Sequence, residues 1–533
     1  MAEQKPSVAF VHPDLGIGGA ERLVVDAAVQ LQLVGHKVAI ITSHYDARHA
    51  FEETHDGTLT IVTACTAIPR AVLGRLHLPM AILQQLSLVA QEWLATQMRS
   101  SSASQTPMYA ALSSVPPAPA PDVFIVDQLP VAIPLLKLLC GRRVLYYCHF
   151  PDKSISAALA EQRAGGRTWT PFALLRRMYR LPLDLLEEAT TACADQVVAN
   201  SRFTATHFRR AFRCLHTDPH VVYPGVDERA YEATAVSKRL AACIPDHCAS
   251  LAATQGNDAI SFLLSMRDRP TFISINRFEA KKNIALAIDA FARMCKQQPD
   301  AGLRLMCAGG YDTRVRDNIE TLAALQEQAS ALGIPHATLS CTLAAAEPPL
   351  SPPPTALLRS ASIIFLPSLP GAFLHLLLLS PANRALLYTP LNEHFGIVPL
   401  EAMACGLPVL ATNTGGPLET LVDCDLAHGR PQVRDGTGLL RAPQPGVWAA
   451  AMSDILTWTP VERDAVAVAC RERVRSRFSV SSMGAALAAE VDSVARKGPV
   501  SLRARIAIAA WLLFALVAAA AAVLVSVVYW RQM

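Results

Sequence analysis

The chain has 533 residues, 51% of them hydrophobic and 17% charged, with a net charge of +4 and a pI near 8.4. That is enough apolar material for two cores. The small, scattered positive charge excludes a basic nucleic-acid stripe, so no nucleic-acid partner is expected. The 13 cysteines are dispersed without a C-x-x-C pair, which favours reduced thiols over a disulfide framework. Cys243, His247 and Cys248 form the nearest approach to a metal cluster, but further ligands at zinc spacing are missing, and no metal is expected.

Residues 7–12 (SVAFVH) predict a short buried strand. A glycine-rich loop, GIGGAER, follows at 16–22, then a helical pattern with apolar residues at Leu23, Val24, Ala27, Ala28 and Leu31, then a second strand at 37–42. Strand, loop, helix, strand is a βαβ unit and implies a parallel sheet. The loop lies where such sheets bind anions, because glycine lets the backbone approach and the helix start offers free N–H groups. It departs from the dinucleotide fingerprint, since Glu21 stands where the third glycine belongs.

Residues 76–98 predict a long apolar-rich helix that suits either the core or a membrane surface. Residues 100–121, rich in Ser, Ala and Pro, predict an inserted loop. Buried strands are expected at 122–127 (DVFIVD) and 144–148 (VLYYC), each closed by a polar group, the second by His149. A histidine ending a strand of a parallel sheet lies on the ligand-binding edge. The segments 195–200 and 220–226 complete a first domain over 1–228.

The pattern restarts in a second domain, 229–480. A strand at 271–276 leads into RFEAKKN and a helix; a strand at 303–308 ends in Gly309-Gly310-Tyr311-Asp312; residues 317–331 are helical; 348–354 are Pro-rich; and strands at 363–367 and 385–388 lead into residues 389–419. Two βα-repeating domains facing a central cleft are the expected architecture. Residues 481–505 predict a helix and basic linker. Residues 506–530, uncharged and almost wholly apolar, predict a transmembrane helix roughly 37 Å long at ~1.5 Å per residue. Arg496, Lys497, Arg503 and Arg505 precede it and only Arg531 follows, which places the body on the cytosolic side. The charged opening MAEQK shows no secretory signal.

The chemistry gathers after the strands of the second domain. Arg277 and Lys282 sit at a strand's carboxyl end, where a fork and a point charge suit a diphosphate leaving group. Glu393 and Glu401 lie eight residues apart in apolar sequence. A glycosidase pair would need carboxyls ~5–9.5 Å apart, whereas eight helical residues rise ~12 Å. They are therefore expected to be separate hydrogen-bond acceptors, one for sugar hydroxyls and one for a ribose. Gly415 and Gly416, before the next helix, could add N–H donors for phosphate.

GIGGAER, YYCHFPD, NRFEAKKNIALAI, GGYDTRV and LLYTPLNEHFGIVPLEAM together resemble the family 4 glycosyltransferases of the GT-B fold. Within that family they are similar to the alpha-1,3/alpha-1,6-mannosyltransferases of dolichol-linked oligosaccharide assembly. The resemblance spans most of 7–480; residues 100–121, 235–268 and 343–378 diverge. It implies GDP-mannose as donor, a dolichyl-diphosphate chitobiose carrying one mannose as acceptor, retention of configuration, and no cofactor or metal. It implies work on the cytosolic face of the endoplasmic reticulum, against a lipid bilayer, and leaves open a complex with other early-pathway transferases. By motif, Glu393 would contact mannose hydroxyls and Glu401 the ribose; Gly396 and Ile397 would line the donor. Arg277 and Lys282 would hold the diphosphate, Gly18 and Gly19 would line the donor phosphates or the acceptor entry, and His149 would sit near the transferred sugar. Two rivals stay open: a family 4 enzyme using another donor such as UDP-N-acetylglucosamine, and a non-catalytic membrane-tethered sugar-nucleotide-binding subunit.

Overall fold

The computed structural model describes residues 5–47, 50–63, 68–69, 77–100, 121–155, 171–231, 269–339, 355–369, 371–424 and 436–513. The expected inserted loop at 100–121, apart from its two end residues, the Pro-rich 348–354, and the Cys243, His247 and Cys248 group lie outside them. The chain forms two units: Met1–Gly225 together with Val480–Met533, and Val226–Ser479.

In the first unit β1 (Val8–Asp14), α1 (Gly19–Leu33), β2 (Val38–His44), β3 (Thr60–Thr63), α2 (His77–Ser100), β4 (Val123–Asp127), β5 (Arg143–Cys148), α3 (Pro171–Thr191), β6 (Gln196–Ala199), α4 (Arg202–Ala211) and β7 (His220–Val221) follow in order. The strands make one parallel sheet ordered β3-β2-β1-β4-β5-β6-β7. Side chains alternate between the two faces of a strand, and here both faces are covered. Val8, Phe10, Val123, Ile125, Leu145 and Tyr147 share one core with α1. Ala9, Val11, Phe124, Val126, Val144 and Tyr146 share the other, with Leu88 and Val89 of α2 and Phe208 of α4. Strand order runs outward in both directions from the β1–β4 boundary, so that boundary is the sheet's topological switch point.

The second unit repeats the plan: β8 (Thr271–Ile275), α5 (Ile284–Gln297), β9 (Arg304–Gly309), α6 (Arg316–Ala331), β10 (His336–Thr338), β11 (Ile363–Pro367), α7 (Gly371–Leu378), β12 (Asn383–Tyr388), α8 (Ile397–Ala404), β13 (Val409–Thr412), β14 (Gly438–Arg441), α9 (Pro445–Thr457) and α10 (Pro460–Arg477). Its parallel sheet is ordered β10-β11-β9-β8-β12-β13-β14, with the switch point between β8 and β12. The start of α10 is fixed by a capping box: Thr459 and Glu462 each satisfy the other's backbone N–H, and Pro460 opens the helix.

Helix α11 (Val480–Ala495) returns to the first unit. Met483, Leu487, Ala488, Val491 and Val494 enter the α1 core. Gly484 permits the close approach, since a Cβ there would stand 2.5 Å from Cβ of Gln30.

The expected transmembrane helix needs correction. Among the described residues no helix is long and apolar enough to cross a membrane. Residues 502–513 are helical, about 18 Å at ~1.5 Å per residue against a ~30 Å hydrocarbon core, and 514–530 lie outside the described residues. Two of the four cations that suggested a membrane flank, Lys497 and Arg505, bond to the first unit. Lys497 Nζ donates to the Asp195 carbonyl at 2.7 Å, and Arg505 Nε donates to the Leu138 carbonyl at 2.8 Å. The Val500 amide donates to the Gly141 carbonyl at 2.9 Å.

Leu487, 1% exposed, tests this docking. Leu487→Ala should lower stability by about 2–5 kcal/mol in denaturant unfolding; a change under about 0.5 kcal/mol, typical of surface positions, would remove α11 from the core.

Candidate functional site

In the second unit the candidate residues stand at the carboxyl ends of β8 and β12, the two strands that flank the switch point. After β8 the chain makes one 3-10 turn, Ala280–Lys282, and Asn283 takes a left-handed conformation (φ 51°) to enter α5. Asn tolerates that conformation better than most side chains. Thr389, just past β12, donates its hydroxyl to the Lys282 carbonyl at 2.7 Å, joining the two strand ends. Across this joint Lys282 Nζ donates to Glu393 Oε2 at 2.6 Å. Both side chains are partly open, 18% and 24% exposed.

The other predicted residues divide around this pair. Arg277 is 62% exposed, with Glu279 at 3.7 Å, and Lys281 is likewise exposed and paired with Glu279. Lys282 and Glu393 are thus brought together, while Arg277 lies on the open side. Glu401, on α8, is half-buried, and its Oε1 accepts from the Tyr231 hydroxyl at 2.9 Å. Burial pushes its carboxyl up, and the Tyr231 bond opposes that rise. Tyr388 lies within the influence of both acids. Burial first, then the charges of Glu393 and Glu401, hold its hydroxyl well above the ordinary value and therefore protonated. Gly396 opens α8 at φ 85°, where a Cβ would stand 3.0 Å from the Tyr388 hydroxyl; Ile397 is the first residue of that helix.

Gly415 and Gly416 serve the Glu393 loop directly. A Cβ on Gly416 would stand 2.2 Å from the Phe395 carbonyl oxygen, and the Gly416 amide donates to the Glu393 carbonyl at 2.7 Å. That N–H, expected as a phosphate donor, is already used. The helix beyond, Pro417–Thr420, has four residues.

The first unit assembles a second charged group at its own switch point. His12, two residues before the end of β1, is fully buried, and its Nδ1 lies 2.8 Å from Asp127 Oδ2, at the end of β4. His149, after β5, brings Nε2 to 3.1 Å from the same oxygen. Glu21 Oε1 stands 3.9 Å from His12 Nε2, an ion-pair distance rather than a hydrogen bond. Burial alone would lower the His12 pKa, but Asp127 and Glu21 outweigh it and hold the imidazole at about 10. Burial alone would raise Asp127, but His12 and His149 hold it at about 2. Glu21 is lowered as well: burial opposes the shift, and His12 drives it.

Gly18 caps α1 and Gly19 is its first residue. A Cβ on Gly18 would stand 2.2 Å from Glu21 Oε2, so the carboxylate folds over the helix start. A helix N-terminus favours an anion, and here the chain supplies its own. The loop after His149 is held by Glu187 of α3, whose oxygens accept from the amides of Asp152 at 2.7 Å and Lys153 at 2.9 Å. Burial pushes the Glu187 carboxyl up to about 7 despite those bonds.

His12, Asp127, Tyr231, Tyr388 and Glu187 are absent from the sequence-derived set. A signal for the first two exists: SVAFVH and DVFIVD each run apolar until a terminal polar residue, as VLYYC runs to His149. Among the described residues no cluster of three or more His, Cys, Asp or Glu is arranged to hold a metal.

Residues 17–230 match Glycosyltransferase Family 4, and residues 269–457 match Glycosyl transferases group 1. The chain is 37% identical over 486 residues to Alpha-1,3/1,6-mannosyltransferase ALG2 of Rhizomucor pusillus, covering 90% of each. It is 39% identical over 452 residues to the Saccharomyces cerevisiae protein of that name, covering 85% of this chain and 78% of the other. For the Neurospora crassa protein the values are 37% over 536 residues, with 99% and 98% coverage. Among solved structures, sucrose-phosphate synthase from Thermosynechococcus elongatus superposes with a TM-score of 0.60 at 17% identity, covering 92% of this chain and 99% of the other. Anabaena Alr3699/HepE in complex with UDP and glucose gives 0.55 at 16%, covering 92% and 100%. These structural likenesses show the fold, two Rossmann-like domains of the GT-B type.

The first-unit cluster has a pH signature. The His12 value lies above its ordinary 6.5, so its contribution is full below about 6.5 and is lost progressively as pH rises through about 10. The Asp127 value lies below its ordinary 3.8, so its contribution is full above that and is lost as pH falls through about 2. Denaturant unfolding should show stability falling from pH 7 to 10, and the slope should be shallower in His12→Asn; equal slopes would remove His12 as the cause.

Proposed function

The chain belongs to the alpha-1,3/1,6-mannosyltransferase family of glycosyltransferases, and from that premise we propose that it moves mannose from GDP-mannose to a dolichyl-diphosphate-linked oligosaccharide. The acceptor is the chitobiose lipid carrying one mannose, to which an alpha-1,3 and then an alpha-1,6 mannose are added during N-glycan precursor assembly. Its place of work is the endoplasmic reticulum.

The observation that carries the donor assignment is the Lys282–Glu393 pair at the β8–β12 switch point. An ammonium group has three donors. One is spent on Glu393, which leaves two for the diphosphate of the leaving GDP. Glu393 holds Lys282 in place and turns its remaining acceptor capacity to mannose hydroxyls. Arg277, on the open side, closes onto the diphosphate when the nucleotide arrives. Glu401, with Oε1 held by Tyr231, offers Oε2 to a ribose hydroxyl. Gly396 and Ile397 line the donor. Gly415 and Gly416 act through the Glu393 loop, since the Gly416 amide is already engaged.

In the first unit His149 is the candidate for contact with a sugar hydroxyl. Gly18 and Gly19 fit the acceptor entry better than a phosphate site, because Glu21 already lies over that helix start. In the reaction the bond from mannose C1 to the phosphate oxygen breaks. A bond from C1 to the acceptor oxygen forms on the same face, and the acceptor proton passes to the departing phosphate oxygen, giving GDP. Preorganised cations stabilise the charge that develops there. The proposal assigns that task to Lys282 and Arg277 and calls for no bound metal, so chelator should leave turnover unchanged.

The test is product analysis with GDP-mannose and a phytanyl- or dolichyl-linked trisaccharide, the linkages read by specific mannosidases. Transfer from UDP-sugars but not from GDP-mannose would sink the donor assignment; GDP-mannose binding without release of GDP would sink the transferase assignment. Lys282→Ala and Glu393→Gln should each lower kcat by about 10²–10³-fold, and near-normal turnover in either removes that residue from the site. Tyr231→Phe should raise KM for GDP-mannose severalfold while kcat changes little, because it loosens a ribose contact rather than the reacting centre. An unchanged KM would separate Tyr231 from donor binding.

A further inference from the structure

The first unit sets three polar side chains in a row across adjacent strand ends. β1 pairs with β4 as far as Val11 opposite Val126, so the next residues, His12 and Asp127, meet at the switch point. β4 pairs with β5 with Asp127 opposite Tyr147, and His149 follows two residues later. Asp127 lies between the imidazoles. His12 Nδ1 is 2.9 Å from Oδ1 and 2.8 Å from Oδ2, and His149 Nε2 is 3.1 Å from Oδ2. Side-chain exposure rises along the row, from 0% at His12 and 2% at Asp127 to 21% at His149.

An ionised carboxylate can only accept hydrogen bonds, so each ring nitrogen facing it carries a proton. That places a proton on Nε2 of His149. In a neutral imidazole the other nitrogen is then an acceptor, and for His149 this is Nδ1. The ring is held elsewhere too. Its centroid lies 5.2 Å from that of Tyr147, and the His149 carbonyl accepts from the Thr204 hydroxyl at 3.4 Å. Glu187 pins the loop three residues on, at the Asp152 amide.

His12 completes the arrangement. A buried carboxylate requires a counter-ion, and His12 supplies it from the closed side. Without that cation the buried Asp127 carboxylate, the acceptor that orients the His149 ring, would be left without a counter-ion. The charged groups facing the row are Asp127 from β4, His12 from β1 and Glu21 from α1, 3.9 Å from His12 Nε2.

We infer that Asp127 and His12 are positioning residues for mannose transfer, holding His149 with its proton on Nε2 so that Nδ1 accepts a sugar hydroxyl. The inference rests on the mannosyltransferase assignment for its reaction but not for its geometry. Neither residue touches substrate; each acts through His149.

The experiment is ¹⁵N NMR of the histidine rings in the full chain at mildly alkaline pH, with His149 assigned by its loss in His149→Asn, run beside kinetics with GDP-mannose and the lipid-linked acceptor. The wild-type ring should show the Nε2–H tautomer. His12→Gln, which removes the counter-ion of Asp127, should weaken the preference for Nε2–H. Asp127→Asn, whose amide can donate to the ring, should shift it toward Nδ1–H and lower kcat by about tenfold to a hundredfold, with KM for GDP-mannose nearly unchanged. An Asn amide oxygen can stand near the Nδ1 position and a Gln amide cannot, so His149→Asn should retain about tenfold more activity than His149→Gln. A wild-type Nδ1–H tautomer, or equal losses in the two His149 variants, overturns the inference even if Asp127→Asn fails to fold. If the wild-type protein transfers no mannose, the functional assignment fails, and the tautomer, read without turnover, still decides the arrangement.

Discussion

Parallel strands can be joined only by crossovers, so every loop that follows a strand arrives at the same edge of its sheet. Where successive crossovers depart in opposite directions, that edge opens into a crevice. Each unit of this chain places a cation and a carboxylate at that point: His12 with Asp127 between β1 and β4, and Lys282 with Glu393 after β8 and β12. The pairs answer the same constraint differently. His12 and Asp127 are closed off from solvent, so their charges are committed to one another and to His149. Lys282 and Glu393 remain partly open and can share their charges with an incoming molecule.

Much of the surrounding structure keeps those side chains where they are. Thr389 locks the end of β12 to the turn carrying Lys282, and Asn283 supplies the conformation that lets that turn enter α5. The two glycines at 415 and 416 admit the backbone of the Glu393 loop at a distance no side chain would allow. Tyr231 fixes one oxygen of Glu401, and Glu187 clamps the segment beyond His149.

The sheets were legible because their strands are buried on both faces and read as short apolar runs. Ile363–Pro367 has the predicted bounds, and β1, β5 and β8 agree within a residue or two. Strands β3, β10 and β14 escaped because they are short and lie at or near the sheet ends, where only part of the surface is covered. Lys282 and Glu393 were each legible as charges in unusual company, but their union spans 111 residues and depends on strand order. The His12–Asp127 pairing spans 115 residues and has the same cause. The partners of Lys497 and Arg505 were not legible because they are main-chain carbonyls, which leave no mark in composition.

The return of α11 to the first unit makes that unit discontinuous along the chain. As the polypeptide leaves the ribosome, residues 226–479 are all present before the helix that fills the space beside α1. The second unit can therefore finish folding while its predecessor still exposes the apolar face that Met483, Leu487 and Val491 will cover. Domains usually mature in the order of synthesis; here the first unit cannot be completed until the second has been made, and its apolar face stays uncovered until α11 emerges.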